Sequence, residues 1–214
     1  MAASTPLDQV DFCVVDTETT GGSAQLNRVI EVAAYHVHDG IILGHFQTLI
    51  NPGRPIPFWI TGLTGIDDTM VRNAPSFCDI AAPLKTFLSK GIFVAHNALF
   101  DFRFIKEEFS RAGAEFERPR LCTVKLARRL YPELPSRSLD ALCDHFLIDI
   151  ADRHRAFGDA EATVYVLKEL LRKAKRDLGV ITWEALDGLQ TAKKKEKPAS
   201  RVRRKECVLP GSVA

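Results

Sequence analysis

The sequence predicts an α/β domain in which an antiparallel meander is continued by parallel strands beneath helices. Three observations predict it. β-Type apolar runs fill the stretch before Asn51, apolar residues recur at helical spacing from Ser76 onward, and one short apolar run, Gly91 to Ala95, interrupts the helices.

The elements follow in order. Asp11 to Asp16 is a short apolar run and reads as a buried strand. Arg28 to His38 is β-rich, Asp39-Gly40 is a strong hairpin-turn signal, and Ile41 to Ile50 returns as the partner strand. Asn51 to Pro57 holds three prolines and a glycine, which makes it loop. Ser76 to Ser89 carries Phe77, Ile80, Leu84 and Leu88 at helical spacing, and Gly91 to Ala95 follows as a buried strand. Asp101 to Ala112 places Phe102, Ile105 and Phe109 on one stripe, with Gly113 suited to the C-terminal cap. Cys122 to Leu130 reads as a short helix that ends before Pro132. Ser138 is a good N-cap for Leu139 to Phe146. Gly158 to Lys175 is the longest helical stretch, with Ala160, Val164, Leu167 and Leu171 facing inward. After Gly179 the periodicity weakens, and from Lys193 it is gone.

A chain of 214 residues with 46% hydrophobic content can build one sizeable core and a tail. No apolar run approaches a membrane span, and the opening MAASTPLDQVDF has neither the charged nor the apolar region of a secretory signal. Five scattered cysteines without a C-x-x-C pair fit a reducing cytoplasm and argue against a disulfide framework or a zinc finger. Charge is divided unevenly. Lys193 to Glu206 holds eight basic and two acidic residues, which leaves 21 basic and 25 acidic elsewhere. Such a basic tail is either a solvated, disordered segment or an electrostatic arm for nucleic acid.

Four carboxylates stand at chemically useful places. Asp16 and Glu18 follow the first strand at a spacing of two, so they share a face. Asp101 lies just past the GIFVA strand at a helix start, and Asp159 opens the longest helix five residues after His154. Singly, each has an ordinary reading as a cap, a solvated strand end or a surface histidine. Jointly, four converging carboxylates repel and cost several kcal/mol on burial unless cations compensate them. Mg²⁺ or Mn²⁺ suits oxygen ligands shared with substrate phosphates, and two such ions can clamp the oxygens of an in-line phosphodiester displacement. A histidine beside them is the natural proton acceptor for an attacking water.

These residues resemble the DEDD-type 3′–5′ exonucleases of the histidine-bearing subclass, of which the proofreading epsilon subunit of bacterial DNA polymerase III is the best-known member. Asp16-Thr17-Glu18-Thr19-Thr20-Gly21 is similar to the first motif, His96-Asn97-Ala98-Leu99-Phe100-Asp101 to the second, and His154 through Asp159 to the third. Ser138-Leu139-Asp140-Ala141-Leu142 is similar to a linking segment of that family. The resemblance covers roughly residues 9 to 175, giving an exonuclease domain over 9–178 and a C-terminal extension over 179–214. It implies an RNase H-like fold with a mixed five-stranded sheet. It implies two divalent cations, Mg²⁺ or Mn²⁺, with Asp16, Glu18 and Asp159 on one, Asp16 bridging to the second and Asp101 supporting that one through water. His154 would be the general base. Thr19, Thr20, His96 and Asn97 would border the terminal nucleotide, with Leu63 and Phe100 as apolar wedges against its base. Many members carry a histidine beside that leucine, whereas Leu63 stands between Gly62 and Thr64.

The implied function is 3′–5′ hydrolysis of single-stranded or frayed DNA ends in proofreading or repair, in the cytoplasm. An exoribonuclease uses the same chemistry and is the alternative, and an inactive nucleic-acid-binding module is a minor one. A zinc site on His36, His38 and His45 lacks a completing cysteine or carboxylate pattern, so packing or surface histidines are expected. Val180 to Leu189, with Ile181, Trp183, Leu186 and Leu189, is either a docking segment for a DNA polymerase or clamp, or a last strand or loop on its own domain.

Overall fold

The computed structural model describes residues 4–150 and 153–191. The basic segment from Lys193 to Glu206, and with it the choice between a solvated tail and a nucleic-acid arm, lies outside the described residues.

One mixed sheet of five strands organises the chain, in the order β3-β2-β1-β4-β5. β1 (Asp11–Thr19), β2 (Val29–His38) and β3 (Ile41–Leu49) form the expected antiparallel meander, while β4 (Ile92–Ala95) and β5 (Arg120–Cys122) extend it in parallel. At the start of β4 the backbones run very close. A Cβ on Gly91 would lie 2.5 Å from the Asp11 carbonyl oxygen, so a residue without a side chain is needed there.

Eight α-helices among the described residues cover the sheet: α1 (Phe58–Thr64), α2 (Asp68–Val71), α3 (Phe77–Leu88), α4 (Leu99–Arg111), α5 (Thr123–Leu130), α6 (Leu139–Phe146), α7 (Ala156–Leu178) and α8 (Trp183–Thr191). The alternation of β1 sends Phe12 and Val14 to one face, where Ala160, Leu167 and Leu170 of α7 meet them. Cys13 and Val15 face the other way, toward Phe77 and Leu84 of α3 and Phe102 and Ile105 of α4. α1 and α2 bury Ile60 and Val71 with Ile30, Ile56 and Ile66 in a smaller cluster at the edge of the sheet.

Boundaries differ from the sequence expectation where local signals compete. The segment around Leu63, for which the sequence showed no stripe, is helix, closed by Gly65 in the left-handed region (φ 72°). β5 takes Cys122, the residue expected to begin a helix, because a three-residue strand is too short to show an alternation. α4 begins at Leu99, ahead of Asp101, and α7 runs from Ala156 to Leu178, beyond both expected ends.

Residues 180–189 pack on their own domain, and from Trp183 onward they form the helix α8, where a docking segment or a last strand or loop was expected. Leu186 is fully buried, Val180 is buried, and Trp183 and Leu189 lie against the same core as α7. The Gln190 side chain ties α8 to the sheet edge, accepting from the Cys122 N–H (2.9 Å) and donating to the Arg120 carbonyl (2.6 Å). Of the four apolar anchors, Ile181 alone is exposed, at 59%.

Candidate active site

The parallel strands β1, β4 and β5 end on one edge of the sheet, and the candidate residues gather there, as is usual for α/β sheets. Asp16 and Glu18 continue the Phe12–Val14 side of β1 and so project toward α7. A register shift between Glu18 and Thr19 ends the regular ladder with β2. Asp159 arrives from the first turn of α7, and the carboxylates of Asp16, Glu18 and Asp159 each offer an oxygen within 4.8 Å of the others.

Asp101 reaches the cluster from the opposite face. Its Oδ1 accepts from the Thr17 N–H (3.1 Å) and the Thr17 hydroxyl (2.9 Å), which locks α4 to β1. It therefore stands beside Asp16 without joining the three-oxygen group, and its charge is one of those acting on Asp16.

Burial and mutual repulsion oppose ionisation throughout the cluster. Asp16 is raised well above the usual carboxylate range, first by burial and then by the charges of Asp101, Glu18, Asp159 and Glu31. Glu18 is pushed up to about 8 by burial and the neighbouring carboxylates, and Asp101 to about 7 by burial. Asp159 is also raised by burial, with the Arg153 guanidinium opposing the shift. Hard oxygen donors, close spacing and charge that Arg153 and Arg155 offset only in part fit a divalent cation, which would let all of them ionise together.

Two partners in this cluster escaped the sequence reading. Glu31 is completely buried on β2, directly opposite Glu18 in the strand register. It accepts from Arg155 Nε (3.0 Å) and Nη2 (2.8 Å) and from the Ala156 N–H (3.0 Å) at the start of α7. A lone carboxylate inside the apolar run Val29 to Val32 was the available signal, since such a group needs a partner when buried. Arg153 bridges the Asp140 carboxylate on α6 and the Asp159 carboxylate on α7, a pairing that no spacing announces.

The remaining residues fall as follows. His154 is exposed and left-handed (φ 60°), immediately before Arg155 at the N-cap of α7. Thr19 and Thr20 are buried, and their hydroxyls close the turn beyond β1. Thr19 donates to the Gly21 carbonyl (2.8 Å), and Thr20 accepts from the Arg28 N–H (3.0 Å). His96 shares a hydrogen bond with the Thr123 hydroxyl (2.9 Å), and burial pushes its imidazole down to about 4, so it is neutral near pH 7. Asn97 is exposed with φ 69°. Phe100 is half-buried against Phe104, with ring centres 4.9 Å apart, and both line a cavity of about 340 Å³ with Asn97, Leu99 and Arg103. Leu63 is half-exposed on α1. The three histidines considered for zinc do not converge. His36 and His38 both approach Asp11, while His45 packs against Tyr35 and Phe157.

A family model described as Exonuclease matches residues 13–167. The chain belongs to the exonuclease family. Its similar relatives include DNA polymerase III PolC-type of Bacillus subtilis, 39% identical over 176 residues, which covers 81% of this chain and 12% of that protein. The corresponding protein of Oceanobacillus iheyensis is 40% identical over 163 residues, covering 76% of this chain and 11% of its own. The chain thus spans about an eighth of the length of these relatives. Among solved structures, Exonuclease X in complex with 5′-overhanging duplex DNA is similar with a TM-score of 0.67 at 26% identity, covering 84% of this chain and 99% of that one. Exonuclease I of E. coli in complex with a dT13 oligonucleotide has a TM-score of 0.71 at 21% identity over 80% of this chain and 43% of its own, and it supports the same mixed α/β exonuclease fold.

Proposed function

We propose that this chain is a metal-dependent 3′–5′ exonuclease that releases nucleoside 5′-monophosphates from single-stranded or frayed DNA ends. The observation that carries the reading is the meeting of Asp16, Glu18 and Asp159 within 4.8 Å, with Asp101 behind them and His154 at the start of the same helix as Asp159.

Asp16, Glu18 and Asp159 would hold divalent cations, Mg²⁺ or Mn²⁺, with Asp101 beside them adding negative charge. Bound there, divalent cations would neutralise phosphate charge and acidify an attacking water. His154 accepts that water's proton on its imidazole, from an exposed position open to the substrate. Thr17 fixes Asp101, and Glu31 with Arg155 fixes the start of α7, so the two sides of the site keep their spacing. Leu63 and Phe100 offer apolar surface to the terminal base, while Asn97, neutral His96 and the backbone around Thr19 and Thr20 border its sugar and phosphate.

The names of the relatives and neighbours, a DNA polymerase and exonucleases in complex with DNA, support DNA over RNA. On that basis the proposal extends to work beside a DNA polymerase or clamp, in proofreading or repair in the cytoplasm. Among the described residues no helix is long and apolar enough to cross a membrane. Contact with a polymerase would fall to the extension 179–214, of which α8 already packs on this domain. The test is digestion of 5′-labelled DNA with matched and mismatched 3′ ends, with and without Mg²⁺ or Mn²⁺, beside an RNA of the same sequence and the Asp16→Ala variant. Metal-dependent shortening from the 3′ end that Asp16→Ala abolishes is expected. Preferential digestion of the RNA would establish the exoribonuclease alternative, and no digestion of either would overturn the reading.

A further inference from the structure

A larger cavity, about 850 Å³, runs along the edge strand β5 between the start of α4, the outer face of α5 and the end of α8. Its wall carries five cationic side chains, Arg118, Arg120, Lys125, Arg128 and Arg137, against a single carboxylate, Asp187. Among the described residues, no ion pair holds any of the five. This concentration stands out because residues outside Lys193–Glu206 total 21 basic and 25 acidic, a mildly acidic body.

Three of the cations are held in place by groups that leave their charge uncompensated. Arg118 donates to the Ser89 and Gly91 carbonyls (2.8 and 3.0 Å), and Arg137 to those of Tyr131 and Pro132 (2.8 and 2.6 Å). Arg120 lies 4.2 Å over the Phe102 ring. The Nε atoms of Arg118 and Arg137 are buried and have no hydrogen-bond partner. Guanidinium groups fixed in this way lose little further freedom on meeting an anion.

One end of the cavity reaches the residues that follow β4, on the edge of the sheet where the carboxylates gather. His96, Asn97 and Ser138 line it there, two residues from Asp140, whose carboxylate shares Arg153 with Asp159. We propose that this cleft is the track for the phosphate backbone of the nucleic-acid strand leading to the scissile 3′ end, so that the strand runs from the carboxylate cluster along β5 toward Arg118 and Arg120. The inference rests on the exonuclease reading and adds the path of the uncleaved strand. A polyanion matches five unpaired cations, and the chain's own segment from Lys193 to Glu206 does not, since it carries eight basic residues against two acidic ones.

Lys125 and Arg128 are exposed on α5, so Lys125→Glu with Arg128→Glu reverses the charge without disturbing the core. Arg120→Gln is a second variant that acts from β5. Binding of a fluorescent oligothymidine of roughly 20 nucleotides to the full chain is followed by anisotropy in EDTA, from about 0.05 to about 0.2 M salt. The double variant is expected to bind at least tenfold more weakly, with the slope of log affinity against log salt reduced by about 1.4 because two phosphates are no longer neutralised. Arg120→Gln is expected to reduce it by about 0.7. Unchanged affinity and slope in both overturns the proposal and leaves the cleft to an acidic protein segment. Digestion of the same oligomer by the unaltered chain with Mg²⁺ reports separately on the exonuclease reading.

Discussion

At the scale of single residues, the site is a set of acids held where they resist ionisation. Glu18 makes this measurable. Its carboxyl is raised to about 8 in the folded chain from an ordinary value of 4.5. The folded state therefore binds the proton more tightly than the unfolded state, and the metal-free chain loses stability as pH rises from the unfolded value to the folded one. Glu18→Gln removes that penalty. In EDTA, its melting temperature is expected to exceed that of the unaltered chain by a margin that is small near about pH 5 and widens toward about pH 9; a margin independent of pH would show that Glu18 is not under this strain. His154 makes a kinetic prediction. His154→Ala should lower the turnover rate about 10²-fold or more and alter its pH profile, and an unchanged profile would exclude the histidine as the base. Glu31 belongs to the same scale although it touches no substrate. Glu31→Gln weakens the bonds to Arg155 and the Ala156 N–H, and should cost about 2–3 kcal/mol of stability by denaturant titration. Because those bonds position Asp159 and His154, kcat should fall more than KM rises.

At the scale of elements, β1 and α7 carry the carboxylate cluster, and the other helices determine where they stand. The long helices and the meander were legible because each has many residues in which to express its period, as the Ala160–Leu171 stripe and the Asp39-Gly40 turn show. The first-turn positions of Asp101 and Asp159 were legible for the same reason. What stayed hidden was short or polar. β5 has three residues, α2 has four, and α1 lies between a proline-rich loop and a glycine that mask its pattern. The pairing of Glu31 with Arg155 spans 124 positions, and only the folded sheet brings the two together. α8 was the ambiguous element. Its apolar residues suit either a partner or its own core, and the burial of Leu186 decides for the core. Leu186→Ala should cost about 2–5 kcal/mol on denaturant unfolding, the usual range for a buried leucine, whereas a cost below about 1 kcal/mol would mean that α8 is not part of the folding unit.

At the scale of the whole molecule, charge is sorted in a way that the site alone does not require. An acidic edge such as that of Asp16, Glu18 and Asp159 repels a phosphate backbone until cations occupy it, so the attraction of a strand has to come from elsewhere. The cleft along β5 offers five cations close to that edge, and the segment after Thr191 offers eight more. These two sources predict different things. A cation set in a fixed cleft contributes to affinity and also to register, whereas one in the extension contributes to affinity alone. Ending the chain after Thr191 removes all eight basic residues between Lys193 and Lys205 and leaves the packed α8 complete. Each cation that neutralises a phosphate of a single strand adds about 0.7 to the salt slope, so this truncation should flatten the slope by about that amount for every phosphate the extension had neutralised. It should also weaken binding of long strands more than of short ones, because a short strand already in the cleft leaves no phosphate for the extension to reach. If the two regions act independently, the truncation and Lys125→Glu with Arg128→Glu should add in free energy. A truncation that changes neither the affinity for long strands nor the slope would identify the extension as a solvated segment and assign the whole electrostatic attraction to the body of the chain.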